Sequence, residues 1–371
     1  MERFSDFLKG KFAFGCMRMQ LDAEGNVDMD NFRAMVDCYL AAGFNYFDTA
    51  HVYYEGKSEI ALREGLTSRY PRESYVLTNK LTSSCFETEA DILPLFQTQL
   101  DACGVEYFDF YLIHSVLQSN YPKYTDCNAF GIAQALKAEG KVKHIGMSFH
   151  DSPEFLDRVL NEHPEIEVVQ IQYNYLDLDD PNVQSQGCLD VCKKHDKPVL
   201  VMEPIKGGGL VFLPDAALER LNALNEGSPA EIALRFVAEQ DQVVMVLSGM
   251  NNVEQVRENV AFMKDLKPLS AEAHKAIAEV RGMIRALKLI ECTGCRYCTD
   301  GCPMEINIPG VFRCVNDSIK FPNRPTNHYG WATRKGGKAS DCVECGQCED
   351  ICPQHLPIIS LLEKCRAIED L

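Results

Sequence analysis

The sequence predicts an α/β fold, a (β/α)8 barrel followed by a small, mainly helical C-terminal domain. Three observations carry this. Eight short apolar runs alternate with helix-patterned stretches over about 250 residues, the mark of repeated strand–helix units. No G-x-G-x-x-G follows the first run, which lowers the open dinucleotide-binding sheet, although pattern alone leaves a doubly wound sheet open. Eight of the seventeen cysteines fall into two dense, regular groups near the C-terminal end, where the alternation has stopped.

The apolar runs are residues 12–17, 44–47, 75–77, 108–113, 142–147, 168–171, 198–202 and 243–247. Apolar residues recur at helical spacing in 31–42, 90–102, 129–138 and 154–160. Ser228, Pro229 and Glu231 form a capping box with proline at the first helical position. Ser270 opens a long helix over 271–287 in a similar way, with Glu272 in its first turn. The stretch INIPGVFRCVNDSI predicts one more helix between the two cysteine groups. The domain boundary is placed near Leu289, giving a barrel over 1–289 and a second domain over 290–371.

Hydrophobic residues make up 46% of the chain and charged residues 25%, ordinary for a globular protein with a sizeable core. The net charge of -17 argues against nucleic acid and against an anionic membrane surface as partners. From Glu291 onward 9 Lys+Arg face 11 Asp+Glu, so most of the negative excess belongs to the first domain. No secretory signal is read at the start, and no stretch approaches the roughly 18–20 apolar residues that span a bilayer. An odd number of cysteines in a large chain speaks for metal binding in a reducing compartment, so the cytoplasm is expected.

In such a barrel the reactive groups sit at the C-terminal ends of the strands. Those ends read FDTAHVYY, LTNK and YLIH for strands two to four, which would gather Asp48, Tyr53, Lys80 and His114 at one mouth. Together they make an acid suited to carbonyl reduction. A phenol is a poor proton donor near neutrality unless a nearby cation stabilises its phenolate, and Lys80 would be that cation. Asp48 would keep Lys80 charged and oriented. His114 would donate a hydrogen bond to the substrate oxygen as charge develops on it.

With these residues in place, residues 10–265 resemble the aldo/keto reductase family. FDTAHVYYEGKSE resembles its signature after strand two; aligning Gly56, Ser58 and Glu59 with G-x-S-E makes Tyr53 the acid and leaves Tyr54 where glycine is common. LTNK, YLIH, ALKAEGKVKHIGMS, VVQIQYN and VRENV are further family-like stretches. The resemblance implies NADP(H) or NAD(H) extended across the barrel mouth, passing hydride to a carbonyl carbon while Tyr53 protonates the oxygen, or the reverse with an alcohol. It implies that Ser148 and Gln170 hold the carboxamide, with Phe149 where asparagine is common, and that Met202 stands in for a stacking aromatic residue. It also aligns LSGMNNVEQVREN, with Ser248, Asn252, Glu258 and Asn259, with the adenosine-phosphate loop. That loop lacks the usual 2′-phosphate clamp, Arg257 being its one basic residue, so the choice between the two nicotinamides stays open.

The cysteine groups repeat one motif. Cys292, Cys295, Cys298 and Cys302 are followed by Pro303; Cys342, Cys345, Cys348 and Cys352 are followed by Pro353. Three thiolates at this spacing wrap one iron–sulfur cluster, and the fourth reaches the other cluster in two-cluster ferredoxins. Two [4Fe-4S] clusters are therefore expected, one on Cys292, Cys295, Cys298 and Cys352, the other on Cys342, Cys345, Cys348 and Cys302. The wide spacing between the motifs points to a helical ferredoxin-type domain. Arg334, Lys335 and Lys338 in TRKGGK offer a basic loop for an acidic redox partner or for shielding the clusters.

The expected activity is carbonyl reduction or alcohol oxidation on a small molecule, with clusters relaying electrons to or from ferredoxin or another carrier. Nicotinamide moves electrons in pairs and clusters move them singly, so relay calls for a converter such as a flavin, for which no signature is read. Two alternatives stand beside it: a reductase with purely structural clusters, and a non-enzymatic electron-transfer or redox-sensing subunit.

Overall fold

The computed structural model describes residues 4–325 and 328–369. Eight strands run β1 Phe12–Gly15, β2 Tyr46–Asp48, β3 Val76–Thr82, β4 Phe108–Val116, β5 Val142–Phe149, β6 Val168–Gln172, β7 Val199–Met202 and β8 Val243–Ser248. All neighbours pair in parallel, and β1 meets β8 with Ala13 opposite Leu247, which closes the barrel. An open doubly wound sheet is thereby excluded. Each strand coincides with an apolar run because a parallel strand is buried on both faces and needs no polar side.

The two faces still differ. On β3, Thr78 donates to the Tyr46 hydroxyl at 2.6 Å, and Lys80 and Thr82 follow on the same inward face. Asn79 between them points outward and donates to Glu59 at 2.7 Å, while Gln99 donates to Asn79 Oδ1 at 3.1 Å. Alternation thus sends the polar groups of one strand to two different networks. Tyr46, Phe110, Leu112, Leu200 and Met245 pack the base of the interior, with Phe4 and Phe7 against it. That base is mainly aromatic and aliphatic, with the Tyr46 hydroxyl bonded to Thr78 and the His144 ring stacked on Phe7, while Asp48, Lys80 and His114 stand at the opposite mouth.

The helices over Met29–Ala41, Glu89–Cys103, Ala129–Ala138 and Pro153–Glu162 match the periodic stretches to within a few residues. Thr88 and Asp91 cap the second of these reciprocally. The helix expected over 271–287 runs Ala271–Arg285. No helix among the described residues is long and apolar enough to cross a membrane.

The chain forms two compact units, Met1–Gly207 with Ala230–Ser270, and Gly208–Pro229 with Ala271–Leu371. All eight strands belong to the first. The second is helical, with the helix Ile308–Lys320 lying between the cysteine groups and Ile358–Cys365 following them. Its repeat extends beyond the cysteines. Arg296 and Gly346 both take the left-handed conformation, as do Glu305 and His355, and the two helices begin at equivalent places.

Candidate functional site

At the barrel mouth Asp48 ends β2 and Lys80 lies on β3, both buried. Lys80 Nζ donates to Asp48 Oδ1 at 2.5 Å, to the Thr49 carbonyl at 2.8 Å and to the Tyr53 hydroxyl at 3.3 Å. A buried ammonium with three oxygen partners is the condition under which a buried charge is tolerated. Burial opposes the charge on Lys80, but Asp48 and then Tyr53 outweigh it and raise the pKa above the usual lysine value. Burial also pushes the Tyr53 phenol up, against the pull of Lys80, so Tyr53 keeps its proton at neutral pH.

His114, on β4, stands with its ring centroid 6.1 Å from that of Tyr53 and nearly perpendicular to it. Its pKa is driven well below the usual value by burial, then by the charges of Lys80 and His150, so the ring is neutral at pH 7. Thr82, directly opposite in the β3–β4 register, places its hydroxyl 2.6 Å from His114 Nδ1. A hydroxyl donating there would leave the proton on Nε2.

Tyr53 opens a short turn, Tyr53–Gly56, in which Tyr54 (φ 51°), Glu55 (φ 57°) and Gly56 (φ 87°) are all left-handed. Two non-glycine residues in this region carry a cost of roughly 1–2 kcal/mol each. Such a position favours glycine, and here the Tyr54 hydroxyl offsets the cost by donating to the Met19 carbonyl at 3.0 Å. Below the turn, Glu59 is fully buried between His51 Nδ1 at 2.7 Å and Asn79 at 2.7 Å, and Ser58 lies 2.7 Å from Thr49. These bonds fix the segment that carries Tyr53.

The residues expected around a nicotinamide lie at the same mouth. Gln170 is buried and donates to Asp48 Oδ2 at 3.1 Å, which ties it to the Lys80 network and leaves its carbonyl oxygen for other partners. Ser148 Oγ accepts the Ser115 N–H at 2.6 Å. Met202 ends β7 half-buried. Ser248 ends β8 and accepts from Asn259 at 3.2 Å; Asn252 caps the helix Val253–Met263 through the Gln255 N–H. Glu258 is exposed on that helix, and Arg257 pairs with Glu254 at 3.4 Å.

Three groups at this mouth were not singled out from the sequence. His150 follows β5, its pKa lowered to about 4 mainly by burial. Arg18 pairs with Glu203 at 3.3 Å, joining the segments after β1 and β7. Thr82 was readable in principle, standing two positions beyond Lys80 on the same face of the strand. Cys16 is buried there too, and burial raises its thiol pKa, so it stays protonated.

In the second unit, one cavity is lined by Cys292, Cys295, Cys298 and Cys352, with Ile308, Phe312 and Ile358 among its walls. A second is lined by Cys342, Cys345, Cys348 and Cys302, with Ile306, Ile359 and Leu362. Each cavity takes three thiols from one repeat and the fourth from the other, the donor set that a [4Fe-4S] cluster requires, within apolar walls. Among the described residues no three metal-ligating side chains converge on a single ion. No disulfide links any of the seventeen cysteines.

Comparison with known proteins gives two matches in sequence order. The model of the Aldo/keto reductase family matches residues 11–281, and that of a 4Fe-4S dicluster domain matches 291–357. The NADH-specific methylglyoxal reductase of Escherichia coli is 26% identical over 303 residues, covering 68% of this chain and 90% of the relative. Aldo-keto reductase family 1 member C2 of Homo sapiens is 27% identical over 276 residues, covering 67% and 83%. Among solved structures, the holo form of an aldo-keto reductase from Bacillus halodurans superposes with a TM-score of 0.60 at 24% identity, covering 73% of this chain and 92% of its own. One from Klebsiella pneumoniae in complex with NADPH gives 0.60 at 20%, covering 73% and 90%; at such identities the likeness is one of fold.

Proposed function

Because this chain belongs to the aldo/keto reductase family, we propose that it is an oxidoreductase reducing a small carbonyl, or oxidising the alcohol, at the barrel mouth with Tyr53 as general acid and base. The observation that carries the reading is the buried chain from Asp48 through Lys80 to the Tyr53 hydroxyl, beside a neutral His114. A bound nicotinamide supplies the hydride to the carbonyl carbon. Tyr53 gives its proton to the carbonyl oxygen, and Lys80 stabilises the phenolate left behind. Asp48 holds Lys80 in place, and neutral His114 donates to the oxygen as it becomes negative.

Ser148, Gln170 and Met202 would hold the nicotinamide end, and Ser248, Asn252, Glu258 and Asn259 the adenosine end. Arg257 is engaged with Glu254, and the Escherichia coli relative is named as NADH-specific, so NADH is favoured over NADPH. The reductase part is taken as 1–289 and the iron–sulfur part as 290–371. Cys292, Cys295, Cys298 and Cys352 would hold one [4Fe-4S] cluster, and Cys342, Cys345, Cys348 and Cys302 the other. Such clusters, when bound, exchange single electrons with a carrier. Two cysteine motifs of the cluster-binding type in a chain without a disulfide fit a reducing compartment, the cytoplasm.

The test is an anaerobic purification with iron, sulfide and flavin content measured. NADH or NADPH is then added with methylglyoxal and a panel of aldehydes while nicotinamide and cluster absorbance are followed together. Aldehyde-dependent oxidation of NADH, faster than of NADPH, is expected. No oxidation of either with any aldehyde would count against the reading.

A further inference from the structure

The second unit carries a feature that the cluster ligands do not use. An open cleft is lined by Arg296, Arg313, Trp331, Arg334 and Lys335, with Glu305 as the one acidic residue on its wall. The four cations are exposed, and none has an ion pair among the described residues. Trp331, the chain's single tryptophan, is 70% exposed, with the Arg334 guanidinium 4.0 Å from its ring centroid. A tryptophan left in water and held by an arginine is unusual on a free surface and common at the energetic centre of an interface.

The cleft is also built. Gly337 N–H donates to the Met304 carbonyl at 3.0 Å, and a Cβ on Gly336 would fall on the Glu305 carbonyl oxygen. Glycine at both positions lets the loop that carries Arg334 and Lys335 lie directly against the segment after Cys302 and Pro303. Arg296, between Cys295 and Cys298, lines both this cleft and the cavity of Cys292, Cys295, Cys298 and Cys352. The cationic wall and the thiol cavity therefore share a side chain. Apolar exposure is concentrated in the same part of the chain: Tyr297, Met304, Ile319, Trp331, Val343 and Ile351 are six of the twelve large hydrophobics exposed among the described residues.

Charge decides what fits. The whole chain carries -17, so a negatively charged partner is repelled by most of it and drawn to a focused cationic patch. We propose that the cleft of Arg296, Arg313, Trp331, Arg334 and Lys335 is the docking surface for the acidic face of a one-electron carrier protein. The proposal rests on the reading that the adjoining cysteines hold a cluster. Each docking event moves one electron, the reduced carrier losing it as the cluster gains it, or the reverse. The partner's carboxylates meet the three arginines and Lys335, and an apolar group at the centre of its patch covers Trp331.

The test uses the anaerobically purified, cluster-loaded full chain and a small acidic bacterial two-[4Fe-4S] ferredoxin as probe, with affinity measured by calorimetry at low and high salt. Three variants are compared with the native chain: Arg334→Glu with Lys335→Glu, Trp331→Ala, and Lys193→Glu, which changes an exposed charge on the barrel. Iron, sulfide and cluster absorbance are measured for each. The cleft variants should weaken binding by roughly tenfold or more, with full cluster content and unchanged aldehyde reduction. Lys193→Glu should leave affinity within about twofold, and salt should weaken binding only where the cleft is intact. Equal affinities for all four proteins, or equal loss in all three variants, would overturn the docking site. Absence of iron and sulfide from the native chain would instead overturn the cluster reading.

Discussion

The barrel mouth and the paired cysteine loops both gather reactive groups from distant parts of the chain, but on scaffolds of different kinds. In the barrel, Asp48, Lys80 and His114 stand on three adjacent strands of a closed hydrogen-bonded sheet, and their positions follow from a base packed with aromatic and aliphatic side chains. In the second unit the thiols belong to loops and to the single helical turns Tyr297–Asp300 and Gln347–Asp350, and the core beneath them is partly made of the same residues: Cys298, Cys314, Cys348, Cys352 and Cys365 are five of its fourteen buried members among the described residues. The barrel mouth is held by bonds within the protein, from Asp48 through Lys80 to Tyr53. On the proposed reading the cysteine core would be completed by its clusters, because a small domain with little apolar area gains much of its folding free energy from metal. One chain would thus join a site held by its own bonds to a ligand-dependent one.

The largest effect that can break this contrast is loss of cluster ligands. Cys298→Ser with Cys348→Ser should abolish iron and sulfide binding and open the second unit to proteolysis, since metal-coupled folding of small domains is worth on the order of 10 kcal/mol. The fragment that survives limited proteolysis should retain the barrel. A protease-resistant second unit in the iron-free variant would show that its core stands alone.

Next is the preformed network. Asp48→Asn leaves the buried Lys80 ammonium without its carboxylate and should destabilise the barrel by about 3–5 kcal/mol in urea unfolding, with cluster content unchanged. A loss below about 1 kcal/mol would mean that water or a neighbour replaces the carboxylate.

A smaller effect separates the regions by pH. Burial disfavours the charge on Glu167, but His144, Lys137 and the Ile145 N–H outweigh it and hold its pKa at about 2. A carboxyl depressed on folding contributes stability that is present above its unfolded value near 4.5 and is lost as pH falls towards 2. Glu167→Gln should therefore cost the barrel about 2–3 kcal/mol at pH 7, and the difference from the native chain should shrink steadily below pH 4.5. A difference constant over that range would contradict the assignment.

The eight strands and most helices were legible because burial on two faces, and on one face of a helix, leaves periods of apolar residues that survive without tertiary information. Asp48, Lys80 and His114 were legible from the strands that carry them, and Tyr53 from the segment after β2. Less so was what joins them. The Gln170 to Asp48 bond spans the barrel interior, and Thr82 meets His114 only because β3 and β4 hold one register. The left-handed turn at Tyr54 and Glu55 runs against local propensity and is held by tertiary bonds. The extension of the cysteine repeat to Glu305 and His355 lies in backbone conformation, which residue types do not announce.

If Tyr53 is the proton donor of a carbonyl reduction in a barrel that folds without the clusters, its hydroxyl is indispensable to turnover. The most direct measurement is aldehyde turnover by Tyr53→Phe with NADH, alongside iron and sulfide content and thermal unfolding. The expected result is a fall in kcat of roughly 10²–10⁴ with full cluster content and an unchanged melting transition. Turnover within a few fold of the native chain would contradict the account.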